Sequence, residues 1–346
     1  MQATVHPNLS LTLWTEMTRV HPGPRDAGPI KTYLDCDTGI DDAMALLYLH
    51  HRPEVDLLGV GTVSGNVTSA QAARNTLALL ELVGSSTPVA VGERDPLAQA
   101  FAGGAPSVHG QAGTGNVQLP PPARLPHELD APDLLIRLAR EHPGALRVIA
   151  TGPLTNLAVA LRREPELPGL VGEVTIMGGA ALAPGNITPA AEANIAGDPE
   201  AAAAVFAADW PLTMVGLDVT MQHRLTEEHR GKLLTGEHEP ARVIGQMLDR
   251  YLDFYVGIFG VRGCALHDPL AAAIGVGLVV PSLAPTVRVE VDTTTGPGRG
   301  GTVADLRGQY VDYPAQEGAN CRVVLAVDDA FADDLVATLL QIPGAG

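Results

Sequence analysis

Short apolar runs bounded by Gly, Pro, Asn or Asp alternate along this chain with stretches whose apolar residues recur at helical spacing, as Ala72, Leu79, Leu80 and Val83 do around Thr76. The pattern predicts strands over 32–36, 55–63, 146–150, 174–177 and 212–217, a short apolar run at 88–91, and helices over 41–51, 69–83, 133–141 and 199–208. Helices are expected to dominate from there to residue 280, except at 257–263, whose glycines suggest a hinge or mobile loop. Strands at 287–303 and 322–327 and a closing helix over 329–341 complete the series. Strand–helix alternation is the signature of an α/β fold, here a single open, mostly parallel twisted sheet flanked by helices. The polar clusters 35–42, 64–66, 151–156 and 178–194 each follow the C-terminal end of a strand. In such sheets those ends share one edge, so the clusters are expected to meet there.

Composition narrows the picture. Apolar residues make up 46% of 346 residues and are evenly spread, with no long linker, repeat or charge block. One domain over 31–346 is expected, preceded by a poorly ordered extension, residues 1–30, in which Met17 is an alternative start. A net charge of −17 argues against nucleic acid, which needs basic surface. Cys36, Cys264 and Cys321 are odd in number and form no CxxC pair, so a reducing, cytoplasmic setting without disulfides is expected. No apolar run is long enough to suggest a membrane partner, and no signal-peptide pattern is present.

The chemistry concentrates in residues 35–42, DCDTGIDD, between an expected strand and an expected helix. Asp35, Asp37, Asp41 and Asp42 would repel one another and raise one another's pKa unless a cation offset the charge. An all-oxygen donor set suits a hard cation such as calcium or magnesium. A simpler use exists for one of them: Asp41 could cap the following helix, but one cap needs one carboxylate. A helix-loop-helix calcium loop is excluded, because its spaced ligands and terminal Glu are missing.

With the blocks that follow it, the octet resembles the signature of the nucleoside hydrolases, the calcium-dependent N-ribohydrolase family. Val63-Ser64-Gly65-Asn66, Val108-His109-Gly110, the run 151–156 (TGPLTN) and Ile176-Met177-Gly178-Gly179 match in the family's order. Gly185-Asn186, Ala191-Glu192-Ala193-Asn194 and Leu266-His267-Asp268-Pro269 follow, so the resemblance spans about Tyr33 to Ile342. It implies a Rossmann-like sheet with the active site at the strand C-termini. It implies one Ca2+ per subunit, held by Asp37, Asp42, Asp268 and the Thr151 carbonyl. Asp37 would also be the general base for water, and Asp35 would orient its neighbours. Asp41, Asn66 and Asn194 would bind the ribose ring hydroxyls, Asn186 and Glu192 the 5′-hydroxyl, and Met177 would line the ribose pocket.

His267 resembles the histidine that protonates the leaving base, the alternative being that it only orients Asp268 or packs beneath it. His109 resembles a second base-pocket histidine. Tyr251 and Tyr255, four apart on one helix face, match a mobile element closing over the base, and core packing explains such a pair equally well. Two departures stand out: Thr38 where many members have Pro, and Ala193 where well-known members carry a large aromatic residue. The implied activity is hydrolysis of ribonucleosides to ribose and base in purine or pyrimidine salvage, by a homodimer or homotetramer. The competing readings are a calcium-dependent nucleoside- or ribose-binding protein without turnover, and a metal-dependent phosphatase using Asp35 and Asp37.

Overall fold

The computed structural model describes residues 28–310, 316, 318–319, 321–328 and 331–345. The expected extension therefore lies outside the described residues up to position 27, Met17 included. Eight strands form the central sheet: β1 (Ile30–Cys36), β2 (Val55–Thr62), β3 (Val89–Val91), β4 (Leu146–Ala150), β5 (Val171–Met177), β6 (Leu212–Val215), β9 (Thr286–Val287) and β12 (Cys321–Val323). Their order is β3-β2-β1-β4-β5-β6-β12-β9, and every pairing is parallel except β12 with β9. Connections run outward from β1 to β3 on one side and from β4 to β6 on the other. The direction of winding thus reverses between β1 and β4, the point at which open α/β sheets leave a ligand crevice.

Both faces of the sheet are covered, as an all-parallel core requires. One apolar layer packs the helices Ile40–His51, Ser69–Leu82, Glu239–Phe259, Asp268–Gly275 and Phe331–Leu340. The other packs Ala131–Glu141, Thr155–Arg163 and Pro199–Ala207. Helix Ile40–His51 is buried on every side from Ile40 to Leu49, which makes it the central helix rather than an amphipathic surface one.

Several boundaries differ from the sequence expectation. The strand expected over 212–217 ends at Val215, and Leu217–Thr220 instead forms one helical turn. Gly257 is no hinge: helix Glu239–Phe259 runs through it and stops at Gly260, which takes the left-handed conformation (φ 70°) that ends helices. Directly after, β8 (Gly263–Ala265) pairs antiparallel with β7 (Arg224–Thr226), a ribbon too short to show alternation. The span 287–303 is not one strand but part of β9, then β10 (Val289–Val291), then the start of β11 (Thr302–Ala304), with β10 and β11 antiparallel. The Gly-rich stretch 103–122 carries the short helix Pro106–His109, and the irregular 184–198 carries Ala193–Gly197.

Candidate active site

The acidic octet leaves β1 and enters helix Ile40–His51 with Gly39 as its N-cap. Asp42, not Asp41, does the capping: its Oδ2 accepts the Gly39 backbone N–H at 2.8 Å. Asp42 Oδ1 accepts the Thr151 hydroxyl at 2.9 Å, which joins the ends of β1 and β4 across the crevice. Asp37 receives Asn66 twice, from the backbone N–H at 2.6 Å and the side-chain amide at 3.1 Å. The same amide reaches Asp42 Oδ2 at 3.2 Å. Carboxylate oxygens of Asp41, Asp42 and Asp268 lie within 4.8 Å of one another, each residue buried. Four of the five sequence-predicted carboxylates thus converge with Thr151.

Asp35 points elsewhere. It accepts the Asn156 amide (3.0 and 3.2 Å) and the Tyr33 hydroxyl (3.3 Å), and Asn156 also binds the Thr62 carbonyl and the Glu93 N–H. Asn156 therefore braces Asp35 and strand β2, while Thr155 bonds the buried Asp198. Asp35 and Asp37 thus turn to different partners, Asp35 to Asn156 and Tyr33 and Asp37 to Asn66. The Thr38 hydroxyl lies 2.6 Å from that of Thr76, tying the octet loop to helix Ser69–Leu82. A proline could not make that bond.

Electrostatically the cluster is incomplete. Burial, reinforced by the charge of Asp42, pushes the Asp37 carboxyl well above the usual carboxylate range. Burial and the Asp41 charge do the same to Asp268, raise Asp42 to about 6, and burial alone takes Asp35 to about 7. His109 Nδ1 lies 3.9 Å from Asp41, and burial lowers its pKa to about 4. Asp41 Oδ1 is buried with no hydrogen-bond partner. An orphaned carboxyl oxygen beside two further carboxyl groups is what a cation or hydroxyl donors would complete. The donor set is all oxygen and fits a hard ion.

The remaining candidates surround this cluster. His109 accepts the Ile40 N–H through Nδ1 at 3.1 Å and packs against Tyr251, with ring centroids 5.3 Å apart. Arg250 holds the His109 turn by donating to the Pro106 carbonyl at 2.7 Å. Tyr251 donates to Asp41 Oδ2 at 2.9 Å, and Tyr255 lies 2.6 Å from His267 Nε2. Both tyrosines are buried, their helix already seated over the acidic site. Burial lowers the pKa of His267. The Asn194 amide donates to the carbonyls of Thr151 (3.0 Å) and Met177 (3.1 Å), bringing the end of β5 into the group. Glu192 caps helix Ala193–Gly197, accepting the N–H groups of Asn194, Ile195 and Gly179. Asn186 is exposed and accepts the Ala193 N–H at 3.0 Å.

The chain matches the model of the inosine-uridine preferring nucleoside hydrolases over residues 32–333. This protein belongs to the nucleoside hydrolase family. It is accordingly an enzyme that hydrolyses N-glycosyl bonds. Among curated relatives, the inosine-uridine preferring nucleoside hydrolase of Crithidia fasciculata is 38% identical over 307 residues, 87% of this chain and 94% of its own. Uridine nucleosidase 1 of Arabidopsis thaliana is 42% identical over 242 residues, 70% of this chain and 72% of its own. The structure of a purine-preferring ribonucleoside hydrolase from Gardnerella vaginalis superposes with a TM-score of 0.82 at 33% identity, covering 90% of this chain and 98% of that one.

Two contributors to this nucleoside hydrolase site were not singled out from sequence. Thr220 Oγ1 sits 2.8 Å from His267 Nδ1, and Asp218 accepts the N–H groups of Ala181, Leu182 and Ala183, fixing the loop that carries Asn186. Their one sequence signal is position: both follow the C-terminal end of β6.

Proposed function

We propose that this nucleoside hydrolase cleaves the N-glycosidic bond of ribonucleosides to ribose and free nucleobase, with calcium as its resident cation. The observation that carries the reading is the buried carboxylate group at the β1–β4 crevice with its unpartnered Asp41 oxygen. Asp37, Asp42, Asp268 and the Thr151 carbonyl would hold the cation. When bound, it would supply a more acidic water and an anchor for two ribose hydroxyls.

The chain's own residues do the rest. Asp37 takes the proton of the attacking water, a task suited to a carboxylate whose basicity is raised by burial and by Asp42. Asp41, Asn66 and Asn194 bind the ribose ring hydroxyls. Met177, whose carbonyl anchors Asn194, lines the pocket. Glu192 uses three acceptor positions on backbone N–H groups, leaving a lone pair for the 5′-hydroxyl together with Asn186. Positive charge that builds on the sugar as the bond breaks is offset by the surrounding carboxylates. His267 faces the leaving base, with Tyr255, Tyr251 and His109 closing around it. The open position at Ala193, which is exposed, bears on which base is preferred. The three cysteines are free and buried, which suits a reducing, cytoplasmic setting.

The test is release of reducing sugar from inosine, adenosine, uridine and cytidine, each beside its 2′-deoxy analogue. Ribonucleosides are expected to react and the deoxy forms to be poor substrates, because a site built to bond a hydroxyl strongly rejects analogues lacking it. Equal rates on both series would sink the assignment of Asp41, Asn66 and Asn194.

A further inference from the structure

Beyond β5 the backbone leaves the sheet, yet its next N–H groups, from Gly179 to Ala183, are each bound by a side chain. Glu192 accepts that of Gly179 at 3.0 Å, and Thr302 on β11 accepts that of Ala180 at 2.9 Å. Asp218 accepts the rest: Ala181 on Oδ2 at 2.8 Å, and Leu182 and Ala183 on Oδ1 at 2.6 and 2.9 Å. Successive N–H groups that converge in this way make a concavity suited to an anion. The buried Asp218 carboxylate fills it from the turn Leu217–Thr220. Gly216 lets that turn come close, since a Cβ there would stand 2.7 Å from the Gly179 carbonyl oxygen. The Leu217 N–H donates to the same oxygen at 2.9 Å.

From Ala183 only Pro184 and Gly185 intervene before Asn186. This bridge has little slack. A Cβ on Gly185 would stand 2.3 Å from the Thr188 carbonyl oxygen and 2.4 Å from the Ala191 nitrogen. The Asn186 N–H donates to the Ala191 carbonyl at 3.2 Å, and its side chain accepts the Ala193 N–H at 3.0 Å. At its far end the loop reaches Glu192, which returns to Gly179. Asp218 therefore holds one root of the loop and Glu192 the other.

We infer that Asp218 is a positioning residue: by setting the path of 179–183 it sets where Asn186 and Glu192 meet substrate. The functional side rests on the reading above, in which those two residues hold the 5′-hydroxyl. Selectivity for nucleosides that carry this hydroxyl is then fixed at the root of the loop, by a side chain acting through the backbone. An amide of the same shape, Asp218→Asn, has one accepting oxygen and turns an NH2 group toward an N–H. At least one of the three bonds is lost, and the loop is released.

The experiment uses the full chain with calcium, wild type and Asp218→Asn, on inosine and 5′-deoxyinosine. Wild type should favour inosine in kcat/KM by about tenfold or more, because a site built to bond a hydroxyl rejects the analogue lacking it. In Asp218→Asn that preference should shrink by about threefold or more, through loss on inosine, with 5′-deoxyinosine within about twofold of wild type. General loss of folded protein would lower both substrates alike. An unchanged preference would overturn the proposal. Amide hydrogen exchange reads the clamp without substrate: 181–183 should be protected in wild type and exposed in Asp218→Asn, while β4 and β5 stay protected in both. Fast exchange at 181–183 in wild type would overturn the proposal whether or not the variant folds, as would unchanged protection in the variant. Equal rates of wild type on both nucleosides would instead sink the 5′-hydroxyl contacts assigned to Asn186 and Glu192, and absence of ribose release the hydrolase reading. In either case the exchange data would still decide whether Asp218 sets the loop.

Discussion

Asn66 grips Asp37 with both its backbone N–H and its side-chain amide, at 2.6 and 3.1 Å, and the same amide reaches Asp42. A residue after β2 thus sets the orientation of a carboxylate after β1. Gly65 makes this approach feasible: a Cβ there would stand 2.0 Å from Asp37 Oδ2. The candidate base is pre-oriented by the fold and does not depend on substrate to be placed.

Replacing Asp37 by Asn keeps most of this geometry and removes the basicity. Turnover of ribonucleosides should fall by about 10²–10⁴-fold, the usual worth of a positioned general base, while nucleoside binding persists. Steady-state rates beside equilibrium binding check this. Wild-type kcat in the variant would withdraw the base assignment.

Truncating His267 to Ala should separate leaving groups. Purine nucleosides, which expel a poor leaving group, should lose about 10²-fold or more, and an activated aryl riboside far less. Equal losses on both substrates would show that His267 acts through Asp268, its sequence neighbour, and not on the base.

Asn156 stands behind the site. It bonds Asp35 and the Thr62 carbonyl in a buried setting and the Glu93 N–H in a partly buried one. Asn156→Ala should cost roughly 2–4 kcal/mol, because the partners lose their bonds without gaining water. Denaturant unfolding of the two proteins measures it. A change below about 0.5 kcal/mol would mean that these bonds contribute little.

The raised carboxyls set a pH dependence in the cation-free protein. A carboxyl whose folded pKa exceeds its unfolded value favours the fold while protonated, fully so below an unfolded pKa of about 4. With Asp42 raised to about 6 and Asp35 to about 7, that contribution is lost as pH climbs through 6 and 7. Chelated protein should therefore lose thermal stability between about pH 4 and 7, and added calcium should restore more at the upper end, where the ligands are ionised. A chelated protein whose Tm rises over that window would contradict the origin assigned to these shifts.

Much of this was legible in the sequence. The octet, the 151–156 loop and the 64–66 turn were readable because each begins where a short β-branched or apolar run stops, and strand C-termini share an edge in a parallel sheet. Their convergence followed from topology alone. Residues acting only through local hydrogen bonds were not readable: Thr220 and Asp218 carry no spacing or composition signal, and a single backbone turn decides where they point. The glycines at 257 and 260 looked equivalent, yet the helix runs through the first and the left-handed φ of the second ends it. Strands of two or three residues, such as β7 to β11, are too short for a period to register. Asp41 was read as a candidate cap because Asp favours such positions, but Asp42 fills that role and Asp41 turns to Tyr251.

The central claim is that the buried carboxylates serve a cation on which N-ribosyl hydrolysis depends. Ribose release from inosine and uridine by protein stripped with a chelator, then titrated with calcium, tests it most directly. The account predicts little turnover in the stripped protein and saturable recovery at one calcium per chain, lost again in Asp268→Asn. Full turnover after complete removal of divalent ions would contradict it, as would calcium binding at this site by a protein that never releases ribose.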